Sequence, residues 1–248
     1  LTRVGARELD LAPRCRLLIT TTSGYDHVDL AAAFARGVAV VRMPQARRDA
    51  VVETSLAMGL ALLRGIPRLH DHARAGRWAR RELPELGLAR LADVEVGLVG
   101  LGVIGRQLAR VLAALGATVL GHDPAGLPPE VEQVRPEEMV ARCRLVSLHC
   151  RLESGAPPVI DAAVLRHARP DLLIVNTARG AVLDLDAALA QLSLGRLGGL
   201  GLDVFPREPW PALAALAARP EVLVTPHAAG YHSRLHEAIA AELDGILA

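Results

Sequence analysis

Three short polar motifs in the last third of the chain carry residue types that can do chemistry. They are Val175-Asn-Thr-Ala-Arg179-Gly180, Leu202-Asp203-Val-Phe-Pro-Arg-Glu208-Pro209 and Val224-Thr-Pro-His227-Ala-Ala-Gly230. Each leaves an apolar run that reads as a strand. The planar fork of Arg179 suits a carboxylate or a polarised carbonyl. His227 belongs to the one residue type that ordinarily titrates near neutral pH, so it can move a proton to or from a hydroxyl. Glu208, placed against His227, would orient the ring and raise its pKa. Singly, each has a plainer reading: Asp203 and Glu208 as caps or loop charges, His227 as the cap of the turn after Pro226. Three such motifs, each on a strand end, weaken the plain reading jointly, because ligands of open α/β sheets bind outside the carboxyl ends of the strands.

A fourth motif supplies the missing partner. Val96-Gly-Leu-Val-Gly-Leu-Gly-Val-Ile-Gly-Arg106 reads as a buried strand, a glycine-rich turn and a helix. Its glycines form G-x-G-x-x-G: Gly100 for the tight turn, Gly102 for close approach of a pyrophosphate, Gly105 for close packing of helix on strand. The helix start offers free N–H groups and a positive dipole end to phosphates. The next strand, Ala117 to Asp123, ends in an acid that can hold a ribose 2′-OH, as an NAD site requires. Without that acid and the two strands the glycines would be a plain turn. A nicotinamide beside Arg179, Glu208 and His227 makes a hydride-transfer site for a 2-hydroxy acid and its 2-oxo acid.

Composition sets the outer bounds. The chain has 248 residues, 51% of them apolar and 2% aromatic, so the core is Leu, Val, Ala and Ile. A net charge of +1 gives no case for a nucleic-acid or anionic-membrane partner. All 28 basic residues are Arg, so Schiff-base or lysine general-base chemistry is absent. Cys15, Cys143 and Cys150 have no metal spacing and read as reduced core residues of a cytoplasmic protein. No apolar run reaches membrane-spanning length. The first residue is Leu1 rather than Met, so a preceding segment is expected.

Strand-like and helix-like runs alternate throughout, the signature of an α/β protein with a doubly wound parallel sheet of Rossmann type. Strands are expected at 16–20, 38–41, 95–99, 117–122, 144–149, 171–176, 198–204 and 222–225. A helix is expected over 29–36, a long apolar one over 49–64 and a last one over 233–247. The Arg-rich segment 66–91 reads as irregular and as a domain crossing.

These motifs, in this order, resemble the D-isomer-specific 2-hydroxyacid dehydrogenases, a family that takes in glycerate and phosphoglycerate dehydrogenases. The resemblance covers nearly the whole chain. It implies a second, split flavodoxin-like substrate domain whose N-terminal part is missing here. The boundaries it suggests are 1–78 for that domain, 79–225 for the dinucleotide domain, and 226–248 for a helix returning to the first lobe. The resemblance gives Arg179, Glu208 and His227 the catalytic roles. Val103 and Ile104 join the glycines at the pyrophosphate. Asp123 favours NAD, while Cys150, Arg151, Thr177, Ala178 and Asp203 line the nicotinamide and adenosine. Thr22 to Leu30 looks like the family's substrate-carboxylate segment, with Ser23 and Gly24 beside the ligand. Val51-Val-Glu53 with Arg64 looks like its linking helix. The implied partners are a small 2-oxo or 2-hydroxy acid and a second copy of the chain. The alternative within the family is an NAD(H)-sensing corepressor with little turnover.

Departures and leftovers complete the reading. Where the family has proline after the fourth nucleotide strand this chain has Arg151, and Ala156 replaces a threonine; an arginine there would blunt the preference for NAD over NADP. His70 and His72 read as solvated loop residues, and His232 and His236, one helical turn apart, as a surface pair; no metal site is expected. Arg47 and Arg48 read as a solvated loop that could also meet an anionic substrate.

Overall fold

A computed structural model describes residues 2–152 and 155–247 of the chain. The polypeptide divides into two compact units, one of residues 51–229 and one of the residues up to 50 together with those from 230. Its helices are α1 (Ala6–Asp10), α2 (Leu30–Ala35), α3 (Gln45–Leu63), α4 (Ile66–Arg74), α5 (Val103–Ala114), α6 (Pro136–Arg142), α7 (Ala162–Leu165), α8 (Leu185–Ser193), α9 (Leu213–Ala217) and α10 (Leu235–Leu247). Its strands are β1 (Leu17–Thr20), β2 (Ala39–Arg42), β3 (Glu95–Val99), β4 (Thr118–His122), β5 (Glu132–Gln133), β6 (Leu145–Leu148), β7 (Leu173–Asn176), β8 (Gly199–Leu202) and β9 (Val222–Val224).

The larger unit is built on a seven-stranded sheet in the order β5-β4-β3-β6-β7-β8-β9, every pair parallel. Its central strands are apolar on both faces, as a sheet covered on both sides demands. Alternate side chains therefore sort into two cores. Val146, Leu148, Ile174 and Leu200 pack with Met139 of α6, Leu165 of α7 and Ala188 of α8. Leu145, Leu173, Val175, Val96 and Leu98 pack with Met58 and Leu62 of α3 and Leu108 and Leu112 of α5. Helix α5 shows the cause locally: Gly105, Leu108, Ala109 and Leu112 recur on one face and are its buried residues. Each such leucine, fully buried, contributes about 1.5–3 kcal/mol of transfer free energy.

The units divide at Ala50/Val51 and Ala229/Gly230, whereas the sequence placed the divisions at Trp78/Ala79 and Thr225/Pro226. The reason is packing. Residues Val52, Met58, Leu62 and Leu63 of α3 belong to the core of the larger sheet, so the helix, not the polar loop after it, crosses between units. The segment 66–91, expected to be irregular, contains α4 and a 3-10 stretch, Ala79–Leu86. Pro67 sits in the first turn of α4, where its missing N–H costs nothing.

The smaller unit holds a parallel β1–β2 pair with Leu17 beside Ala39 and Thr20 beside Arg42. Its core is Leu9, Ala33 and Val38. Glu242 of α10 accepts the Gln45 and Ala46 N–H groups at 3.1 and 2.7 Å, capping the start of α3. Among the described residues, no single helix is long and apolar enough to cross a membrane.

Candidate active site

Parallel strands present all their carboxyl ends at one edge of a sheet, and that edge collects the residues singled out in the larger unit. Asp123 follows β4, Gly100 to Gly105 follow β3, and Cys150 and Arg151 follow β6. Thr177, Ala178 and Arg179 follow β7, Asp203 follows β8, and His227 lies three residues beyond β9. The order of strands thus turns scattered sequence positions into a row. The order of connection reverses at β3, which is flanked by β4 and β6, and this is where doubly wound sheets leave a crevice for a dinucleotide.

The glycine turn has the geometry of a cradle. A Cβ on Gly105 would stand 2.0 Å from the Gly100 carbonyl oxygen, so only glycine lets α5 start this close to β3. A Cβ on Gly102 would meet nothing within 4 Å: this glycine faces open space, as a residue admitting a phosphate must. The α5 ladder begins with the Arg106 N–H to Gly102 carbonyl bond, and no side chain caps the helix. The N–H groups of Val103, Ile104 and Gly105 therefore have no acceptor within the helix and can serve an anion. The Asp123 carboxylate accepts the Leu101 N–H at 2.7 Å and the Ala125 N–H at 2.9 Å. It holds the cradle to the β4 end and keeps lone pairs for a ribose hydroxyl. These residues fit a dinucleotide.

The second cluster is organised by Asp203, which is 1% exposed. One carboxylate oxygen accepts the Thr225 hydroxyl at 2.6 Å and the Ala228 N–H at 2.7 Å; the other accepts the Ala229 N–H at 3.0 Å. Its main chain joins neighbouring strand ends: Asp203 N–H donates to the Asn176 carbonyl, and His227 N–H donates to the Asp203 carbonyl. This grip holds His227 at φ +56°, a left-handed backbone that a residue with a Cβ rarely adopts. The ring is aimed by Glu208, whose Oε2 lies 2.6 Å from Nδ1, while its Oε1 accepts the Phe205 N–H. An ionised carboxylate accepts only, so Nδ1 carries a hydrogen and Nε2 is left for a reacting group.

Arg179 sits on a turn locked by Asn176, whose amide donates to the Arg179 carbonyl and whose oxygen accepts the Ala178 N–H. Gly180 follows because a Cβ there would lie 1.9 Å from the Phe205 carbonyl carbon. That contact brings the Arg179 turn against the segment leading to Glu208. The turns after β7 and β9 thus supply a guanidinium, which can bind an anion, and an imidazole, which can give or take a proton.

The remaining expected residues have simpler surroundings. Burial pushes the Cys150 thiol up to about 11, which keeps it protonated at neutral pH. Arg151 is exposed, and Glu153 and Ser154 of the same departing run lie outside the described residues. Ser23 and Gly24 belong to the smaller unit, after β1, where the Thr22 hydroxyl donates to the Gly24 carbonyl at 2.6 Å. Arg47, expected in a solvated loop, is in α3 and donates to the carbonyls of Thr21 and Gly230. His232, expected on the surface, meets the Ala46 carbonyl at 2.9 Å. His72 lies 3.4 Å from Glu82. Sequence reasoning missed Asn176 as a lock, Thr225 as a partner of Asp203, and Ser55, a buried hydroxyl of α3. The one signal was polar residues in otherwise apolar runs.

Comparisons with known proteins bear on the family and the fold. Residues 56–229 match the family model described as D-isomer specific 2-hydroxyacid dehydrogenase, NAD binding domain. A D-3-phosphoglycerate dehydrogenase of Mycobacterium tuberculosis is 35% identical over 232 residues, covering 91% of this chain and 43% of the relative. A glyoxylate reductase of Thermofilum pendens is 31% identical over 234 residues, covering 92% of this chain and 69% of the relative. The chain thus spans from under half to about two thirds of these relatives. Among solved structures, a D-lactate dehydrogenase from Aquifex aeolicus, complexed with NAD and lactic acid, aligns with a TM-score of 0.88. It is 26% identical, and the match covers 99% of this chain and 79% of that one.

Proposed function

The chain belongs to the D-isomer-specific 2-hydroxyacid dehydrogenases, and on that premise we propose that it exchanges hydride between NAD and C2 of a small 2-hydroxy or 2-oxo acid. The observation that carries this reading is the Glu208–His227 pair, held by Asp203 on the same sheet edge as the glycine cradle.

The bound dinucleotide supplies the hydride, from C4 of its nicotinamide ring. In the reducing direction the substrate carbonyl becomes an alkoxide, and His227 donates its Nε2 proton to that oxygen. Glu208 holds Nδ1–H and balances the imidazolium charge before transfer. Arg179 binds the substrate oxygens with its guanidinium and stabilises the negative charge that develops. In the oxidising direction the same imidazole, neutral, takes the hydroxyl proton. Val103, Ile104 and Gly105 hold the pyrophosphate, and Asp123 holds the ribose. Cys150, Arg151, Thr177, Ala178 and Asp203 line the rest of the cofactor, and Ser23 and Gly24 receive the substrate carboxylate through backbone N–H groups. A homodimer and a cytoplasmic location belong to the same reading. The three free cysteines support the second, and analytical ultracentrifugation reads the first.

The test is NADH oxidation with glyoxylate, hydroxypyruvate, pyruvate and 3-phosphohydroxypyruvate, by wild type and His227→Ala. Turnover of at least one acid, cut by about 10²–10⁴-fold in the variant, is the expected result. Tight NADH binding without turnover of any 2-oxo acid would contradict it.

A further inference from the structure

Helix α3 is apolar from Leu56 to Leu63, and just before that run it buries one hydroxyl, Ser55, which is 2% exposed. A buried hydroxyl is unfavourable unless it is bonded. The Ser55 oxygen lies 2.7 Å from the Val51 carbonyl and 2.8 Å from the Thr177 hydroxyl. A carbonyl cannot donate, so the single hydrogen of Ser55 goes to Val51. The contact with Thr177 is then a hydrogen bond only if Thr177 donates. Its own hydrogen is thereby committed, and the Thr177 oxygen offers lone pairs alone.

Thr177 opens the turn that ends in Arg179. Asn176 locks that turn from within, and Ser55 holds it from the facing helix. The neighbouring Thr54 hydroxyl donates to the Ala229 carbonyl at 3.4 Å. One turn of α3 therefore steadies both the Arg179 turn and the turn bearing His227.

We propose that Ser55 is a positioning residue that fixes Thr177 as an acceptor-only group, so that the cofactor site takes a carboxamide and rejects a carboxylate in its place. This rests on the proposed place of Thr177 among the residues that line the nicotinamide and adenosine, and assigns it to the nicotinamide end because it opens the turn that carries Arg179. A carboxamide brings N–H donors to such an oxygen; a nicotinate ring brings only oxygens, which a lone pair repels. Replacing Ser55 with alanine releases the Thr177 hydrogen and lets it serve either ring.

The test is the pair of dissociation constants for NAD and its nicotinate analogue, nicotinic acid adenine dinucleotide, measured by calorimetry on the whole chain. Wild type is expected to prefer NAD by about tenfold or more, and Ser55→Ala to narrow that ratio by about fivefold. Thr177→Val should narrow it too, and adding Ser55→Ala to Thr177→Val should change it no further. If Ser55→Ala does not fold, Ser55→Cys, a weaker acceptor, reads the same ratio. Weakening of both dinucleotides by one factor, with the ratio intact, would reduce Ser55 to a structural role and overturn the proposal. Wild type that binds neither dinucleotide would overturn the cofactor reading beneath it.

Discussion

Asp203 shows how much one buried side chain can determine. Asparagine in its place keeps one acceptor oxygen but turns an amide N–H toward a backbone N–H. An unsatisfied buried donor costs about 1–3 kcal/mol, and a loosened His227 turn costs about 10²-fold in rate. Asp203→Asn is expected to lose both, read by urea unfolding and by turnover; unchanged kinetics would remove Asp203 from the positioning of His227. His149 gives the pH dependence. Burial lowers its pKa from 6.5 to about 4, and its Nε2 lies 2.8 Å from the Ser147 hydroxyl. The unfolded chain takes this proton near pH 6.5, while the folded protein resists it down to about pH 4. Between those values the unfolded state binds more protons, so stability falls as pH drops from 6.5 toward 4. His149→Gln should flatten that part of the urea-midpoint profile, and an unchanged slope would assign it to other groups. Arg179, Glu208 and His227 were singled out in the sequence by residue type, by their place after strand-like runs and by resemblance, and each lies beyond a strand of the sheet. Their holders were not singled out: Ser55 meets Thr177 across 122 positions, and Thr225 meets Asp203 across 22.

At the scale of elements, the sheet and its order of motifs were legible because hydrophobic runs bounded by glycine and proline have few alternatives. Strand β5 and the shorter helices α1, α4 and α6 to α9 were not placed. Strand β5 is two exposed residues with no apolar pattern to announce it. Helix α3 was found, but its role was not, because the apolar run of its second half does not say which sheet it joins. Its packing on Val96, Leu98 and Leu173 moved the unit boundary into the helix. The β3–α5 turn yields the prediction that belongs here. In Gly105→Ala the new methyl must push α5 away from the Gly100 carbonyl. NADH affinity should fall by more than about tenfold as the N–H groups leave the phosphate. Calorimetric titration measures it, and wild-type affinity would mean that the cradle is not the cofactor site.

At the scale of the molecule, the larger unit alone carries the glycine cradle, Asp123, Arg179, Glu208 and His227, and it contains the 56–229 match. On the proposed reading, hydride chemistry belongs to this unit. The larger unit was readable from sequence because its motifs sit at strand ends; in the smaller, β1, β2, α2 and α10 lie close to where they were expected, while the short helix α1 had no pattern to announce it. The most direct measurement is mass spectrometry of the product formed from a 2-oxo acid and NADH deuterated at the transferable C4 position, by wild type and His227→Ala. One deuterium on C2 of the D-2-hydroxy acid is expected with wild type, and a strongly reduced yield of the same labelled product with the variant. Product without deuterium at C2, or an undiminished yield from His227→Ala, would contradict the proposed hydride transfer.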